Sequence, residues 1–293
     1  MSPRASTCPL APATAPAFHG AIGYDGETGP SLRPRTSGGE VHPDVHSDIK
    51  EVLLAEGLLA EGELWLADWL RPERLLRLRE VLMRRTGYIA VAMEAVDDGH
   101  NQAAILRSAE AFGVQHVAVI EGKQPFQPSK GVTQGAHKWL TIHRMPSVGR
   151  AIDALHARGF QVYATDLGDG AQPIDAVDLA RPTAILFGNE KDGVSPEARE
   201  RADGRFYIPM AGFVQSFNVS VAAAIALYEL TRRARETAGD RYALDADERH
   251  RLYVTWCLRS LHGATREEAR RRLEASGFAL EEDLVDEAVD DGE

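Results

Sequence analysis

Three short stretches concentrate residues that could do chemistry. In the first, His100–Asn101 precede Arg107 in the run HNQAAILRSAEAFGV. Asn101 suits the N-cap of the helix that follows, where a short side chain accepts from the free N–H groups of the first turn. Arg107 falls near the middle of that helix among Ile105, Leu106 and Phe112, and a cation in apolar company needs a partner. Glu110 is the one acidic residue three or four positions away, so a surface ion pair is the bland alternative to a role in a site. The second stretch, AILFGNEKDGVS over 184–195, reads as a buried strand ending at Gly188. A polar loop with Glu190 follows, then Ser195-Pro196 as N-cap and first-turn proline of a helix. Ligands of open α/β sheets bind beyond the carboxyl ends of strands, and a glycine there permits close approach of backbone to ligand. In the third, Gln215, Ser216, Asn218 and Ser220 interrupt apolar residues at the mouth of the small-residue helix VAAAIAL, 221–227. A capped buried helix explains Ser216 or Asn218, but not all four together.

The elements that must position these residues alternate. Strand-length apolar runs occur at Tyr88–Met93, His116–Ile120, Thr141–Arg144, Gln161–Thr165, Thr183–Phe187 and Arg205–Ile208. Helical patterns lie near Gln102–Phe112, Val148–Arg158 and Pro196–Ala202, with a long helix from about Asn218 to Glu236. This order predicts a mostly parallel sheet covered on both faces. Upstream, Pro72 opens a helix with Leu75, Leu76, Val81 and Leu82 as its stripe, populated by Arg74, Arg77, Arg84 and Arg85.

The division along the chain is a disordered, acidic extension over 1–70 and an α/β domain with its basic N-terminal helix over 71–240. A helical extension over 241–276 and an acidic disordered tail over 277–293 complete it. Residues 1–48 are rich in Pro, Ala, Gly, Ser and Thr, and 49–69 are leucine-rich with room for one short helix of no assignable role. The net charge of −11 is uneven: −6 over 1–70, +4 over 71–272 and −9 over 273–293. The body therefore permits nucleic acid, which the overall balance would discourage. The tail reads either as a solvated C-terminus or as an RNA mimic competing for a basic groove. Cys8 and Cys257 are too few for a disulfide framework and have no zinc spacing. No apolar run approaches the roughly 18 residues of a membrane helix, and Pro9, Pro12 and Pro16 break up any secretory signal. A cytoplasmic protein without membrane attachment is expected.

The three stretches, in this order and spacing, resemble the three motifs of the SpoU/TrmH family of SPOUT RNA 2′-O-methyltransferases. The resemblance runs over about 71–260 and includes Gly135-Ala-His-Lys-Trp139, Tyr163-Ala-Thr-Asp166 and Trp256. It implies an α/β fold with a mostly parallel sheet, a deep C-terminal trefoil knot, and helical N- and C-terminal extensions. It also implies S-adenosylmethionine as methyl donor with no metal, a homodimer through the knotted region, and methylation of the 2′-hydroxyl of guanosine 18 in tRNA. Carried over by position, Arg107 is the catalytic arginine and Asn101 its helper, with Glu190, Ser216 and Asn218 completing the site. Thr165, Leu186, Gly188, Ile208 and Phe217 fall at the cofactor pocket, and Arg84, Arg85, His137, Lys138 and Arg232 at RNA contacts. The departures are Phe217 where Leu is usual, Gln102 where an apolar residue is usual, and Asn189 where Ala or Gln is common.

Other readings are an rRNA or another tRNA position as target, and a non-catalytic RNA-binding protein on the same fold. Loss of Arg107 or Asn101 would signal the latter, and both are present. A dinucleotide oxidoreductase is disfavoured by the missing GxGxxG and by the lack of an acidic ribose ligand after the first strand.

Overall fold

The computed structural model describes residues 43–280. The expected disorder of residues 1–42 and of 281–293 lies outside the described residues. Two helices, α1 (Pro43–Ala55) and α2 (Trp65–Asp68), precede the basic helix α3 (Pro72–Leu82). The α/β body follows as β1 (Thr86–Glu94), α4 (Gly99–Ala111), β2 (Val114–Ile120), α5 (Lys130–Thr133), β3 (Thr141–Met145) and α6 (Val148–Ala157). It continues as β4 (Gln161–Thr165), β5 (Gln172–Pro173), β6 (Thr183–Phe187), α7 (Pro196–Arg201), β7 (Gly204–Tyr207) and α8 (Val219–Ala238). The pattern over 245–276 resolves into two helices, α9 (Ala246–Arg259) and α10 (Gly263–Ala275). All six expected strands are present, and only the two-residue β5 escaped the reading.

The sheet is parallel throughout, in the order β3-β2-β1-β6-β4-β7-β5. Strand parity divides its residues by size. Ile89, Val91, Val117, Val119, Ile185 and Phe187 pack beneath α4 and α8. The alternate positions Ala90, Ala92, Ala118, Ala164 and Ala184 face α6 and α7. Both faces are thus covered, as a parallel sheet requires. The chain leaves β1 toward β2 and leaves β6 toward β7, in opposite directions across the sheet. Their adjacent carboxyl ends are therefore a topological switch point.

Residues 43–70 correct the division given above. Residues 43–48, assigned to a disordered segment, already belong to α1. Ile49 and Leu53 of α1, Leu58, Leu59, and Leu66 of α2 are buried with Leu75, Leu78 and Leu82 of α3 and with Leu252, Tyr253 and Trp256 of α9. The short amphipathic pattern gave no hint of its partner, which lies at the opposite end of the chain. Ion pairs rim this core: Arg79 with Glu56, Lys50 with Asp68 at 2.5 Å and His250 with Glu63 at 2.7 Å. Phe278 and Leu280, read as the start of the tail, also pack against it.

A polar cluster joins α9 to the sheet. His116 on β2 contacts Glu248 on α9 at 2.7 Å, stacks on His143 of β3, and lies 3.3 Å from Arg158 at the end of α6. Burial, with the charges of His116 and Arg158, pushes the His143 pKa down to about 4 against the opposing Glu248. Burial works against the Glu248 charge, but His116, Arg158 and Arg251 hold its carboxyl below the ordinary range. Unfolded, His143 takes up a proton near its usual 6.5, which the native chain refuses until about pH 4, so stability falls as pH falls through that window. Glu248 acts in the same direction at lower pH.

Two outcomes follow. The melting temperature should drop as pH is lowered from 6.5 toward 4, and His143→Gln should flatten that slope in a pH series of thermal melts. Leu66→Ala, in a segment expected to be an appendage, should cost about 2–5 kcal/mol in denaturant unfolding.

Candidate active site

The switch point gathers the first two motif stretches. Asp98, not Asn101, caps α4: its carboxylate accepts from the N–H groups of His100 at 2.7 Å and Asn101 at 3.1 Å, and these bonds hold its pKa below the ordinary value. Asn101 therefore sits inside the first turn with its side chain free for other work. Its Nδ2 donates to Glu190 Oε1 at 2.9 Å, across to the loop after β6. An aspartate just ahead of Gly99 was the available signal for the cap. The same two loops are tied more deeply, where Ser195 N donates to the buried Glu94 carboxylate at 2.9 Å. Ser195 caps α7 and Pro196 occupies its first turn, as expected.

Gly188 has a reason of its own. A β-carbon there would lie 2.2–2.3 Å from the backbone of Gly193 and Val194, so the close approach that glycine permits is to its own loop. Leu186 is fully buried, and its carbonyl accepts from Thr165 Oγ1 at 3.2 Å, linking the ends of β6 and β4. Next to Thr165, Asp166 is ion-paired with Arg205 at 2.7 Å and Arg199 at 3.4 Å. Burial opposes its charge, but the bonds from Arg205 and the Gly168 N–H keep it ionised below the usual carboxylate pKa. Gln102, the polar residue in an apolar position, is buried and useful: Nε2 donates to Val96 O at 2.7 Å and Oε1 accepts from Gln127 N at 3.0 Å.

The third stretch behaves differently. Ile208 is half-buried against the sheet core, whereas Phe213, Val214, Ser216 and Phe217 are exposed. Asn218 is the N-cap of α8, accepting from Ser220 N at 2.8 Å and Ser220 Oγ at 2.6 Å, so the capped-helix reading accounts for these two polar residues. Among the described residues, the backbone from Met210 to Ser216 makes no hydrogen bond within the chain. Its N–H and C=O groups lie on an exposed loop after β7 and are open to a ligand.

Arg107 is exposed and has no hydrogen-bond or ion-pair partner among the described residues. The expected alternative fails because Glu110 is taken by Arg85 at 2.9 Å. This also corrects Arg85, assigned above to RNA. It is 2% exposed, donates to the carbonyls of Glu110 and Val114 at 3.3 Å, and lies over the Trp256 ring. Burial pushes its guanidinium below its ordinary pKa, with Glu110 opposing. A basic helix pattern cannot distinguish a solvent-facing arginine from one turned into the core. Arg84, Lys138 and Arg232 remain exposed; Arg84 pairs with Glu80, and Arg232 pairs with Glu229 and Glu236. His137 is half-buried.

A parallel sheet whose switch-point loops converge on Asn101 and Glu190, with a cation standing free nearby in sequence, defines an α/β ligand-binding enzyme scaffold. The comparisons with known proteins are specific. Residues 88–228 match the SpoU rRNA Methylase family. Over 188 residues the chain is 43% identical to tRNA (guanosine(18)-2′-O)-methyltransferase of Thermus thermophilus, a match covering 62% of this chain and 95% of the relative. The Escherichia coli K12 protein of the same name is 39% identical over 170 residues, 58% of this chain and 74% of its own. The crystal structure of the A. aeolicus TrmH/SpoU tRNA modifying enzyme superposes with a TM-score of 0.60 at 37% identity, covering 65% of this chain and 98% of that one. The chain belongs to the SpoU methylase family. No described helix is long and apolar enough to cross a membrane.

The buried placement of Arg85 separates stability from binding. Arg85→Ala should destabilise by about 2–4 kcal/mol, because it leaves the Glu110 carboxylate and two carbonyls without their donor. Lys138→Ala should leave stability within about 0.5 kcal/mol. Chemical denaturation of both variants checks the pair.

Proposed function

We propose that the protein transfers the methyl group of S-adenosylmethionine to the ribose 2′-hydroxyl of guanosine 18 in the tRNA D-loop, and that it does so as a cytoplasmic homodimer. The observation that carries this reading is the freedom of Arg107 while Glu110, the acidic residue of its helix, is engaged by Arg85. The names of the relatives supply the substrate.

The residues fit the cofactor. Met210–Ser216 offers unpaired backbone groups, Leu167 and Phe217 offer exposed apolar surface, and Thr165, Leu186, Gly188 and Ile208 lie at or just beyond the carboxyl ends of β4, β6 and β7. S-adenosylmethionine supplies a methyl group already activated by its sulfonium. What remains for the protein is to align an in-line attack and raise the nucleophilicity of a hydroxyl. A guanidinium is a hydrogen-bond donor with no acceptor, so Arg107 acts by orienting the 2′-oxygen and stabilising the alkoxide as it develops. The proton leaves to a phosphate or water. The Asn101–Glu190 contact ties the two motif loops together, and Ser216 and Asn218 stand at the mouth of α8.

The dimer reading rests on the outer surface. Phe213 is fully exposed, and Val214, Phe217, Val221 and Tyr228 are exposed with it, on the open loop and along α8. Such a patch is expensive in water and suits a second copy of the chain, consistent with a site to which both subunits contribute. The trefoil knot belongs to the same reading. RNA contacts would come from Arg84, His137, Lys138 and Arg232 through phosphates, with binding that weakens steeply as salt rises.

The test is transfer of labelled methyl from S-adenosylmethionine to an unmodified tRNA transcript, with a guanosine-18-to-adenosine transcript and ribosomal RNA alongside. Label on the first alone is expected, and Arg107→Ala should reduce it by at least about a hundred-fold. Label on rRNA alone would overturn the substrate, and full activity of Arg107→Lys with a shifted pH optimum would overturn the role of the arginine.

A further inference from the structure

Asn189 and Glu190 are neighbours that do different work. Glu190 faces Asn101, whereas Asn189 turns toward the end of β1, where its Nδ2 donates to the Ala95 carbonyl at 2.7 Å. Its Oδ1 accepts from the N–H groups of Lys191 at 2.9 Å and Asp192 at 3.4 Å. Its backbone exchanges two bonds of 3.0 Å with Gly193. One residue thus closes the loop upon itself and moors it to the first residue beyond β1.

That mooring point is unusual. Ala95 has φ of 51°, in the left-handed region that a β-carbon disfavours. Its N–H donates to Ile120 O at 2.9 Å, so Ala95 is held between β2 on one side and Asn189 on the other. Three residues later Asp98 caps α4, and the capped turn carries Asn101, whose amide returns to Glu190. The path from Asn189 through Ala95, Asp98, Asn101 and Glu190 is a closed circuit. Gln102 braces the same segment from beneath through Val96 O.

We infer that Asn189 is the positioning residue of this site, setting the Glu190–Asn101 contact by fixing the backbone conformation at Ala95. The inference rests on the methyl-transfer reading only for the kinetic part of its test. Two substitutions dissect the side chain. Asn189→Asp keeps the acceptor for Lys191 and Asp192 but offers no donor to Ala95; Asn189→Ala removes both functions.

The experiment compares wild type, N189D, N189A, E190A and N189A/E190A by methyl-transfer kinetics, thermal melting and hydrogen exchange of the 95–101 peptide. Both Asn189 variants should lower kcat about ten-fold with little change in KM for cofactor, and both should speed exchange at 95–101. In the E190A background, the Asn189→Ala change should cost less than about two-fold, since no carboxylate remains to be positioned. Wild-type kcat in N189D, an equal loss in the E190A background, or unchanged exchange would each overturn the proposal. A wild-type protein that transfers no methyl group, with exchange still faster in N189D and N189A, would overturn the methyl-transfer reading and support the positioning role.

Discussion

Ile89–Met93 lies in parallel register against Thr183–Phe187, and both strands are buried on both faces of the sheet. Because the next element after each strand departs in the opposite direction, their carboxyl ends open a crevice that neither crossover covers. Three contacts of the candidate site span that crevice. Glu94 reaches Ser195, Asn189 reaches Ala95, and Asn101 reaches Glu190. Sliding the register by one residue would turn the large side chains toward α6 and the alanines toward α4 and α8, so packing and loop alignment are enforced together.

The helical core imposes a second condition. It is built from both ends of the chain, and its connection to the sheet is polar. Arg85 crosses from the end of α3 to Glu110 of α4 beneath Trp256, and His116 meets Glu248. Buried charges of this kind add little to net stability when paired but are costly when parted. They penalise any other seating of α9 on the body, which is a form of specificity that apolar contacts alone lack.

Much of this was legible in the residue order. Strand-length runs marked six of the seven strands, because a sheet buried on both faces leaves continuous apolar segments with polar breaks. Ser195-Pro196 marked a helix start by chemistry that operates locally. What stayed hidden depended on distant partners. Residues 49–70 carried leucines whose counterparts are in α9, and a pattern of period 3.6 names a face without naming what covers it. Arg85 looked like its neighbour Arg84 because helix position alone does not say which side of α3 meets the sheet. Asn101 looks like the cap in the sequence because Asp98 stands before a glycine and outside the apolar run. Arg107 and the Glu190 loop stand out in the sequence by motif, whereas the mooring of that loop by Asn189 joins residues 94 positions apart that no local pattern connects.

The helical core also has a history in time. Its first members, α1 to α3, leave the ribosome well before α9, which is synthesised on the order of 160 residues later. At roughly 5–20 residues per second, that delay is about ten to thirty seconds. Throughout it, Leu53, Leu66, Leu75 and Leu82 have one another but lack the cover that Leu252, Tyr253 and Trp256 supply. The nascent chain therefore carries an incompletely covered apolar face while the whole sheet is being synthesised, and the yield of native protein depends on what shields that face until the last helices arrive.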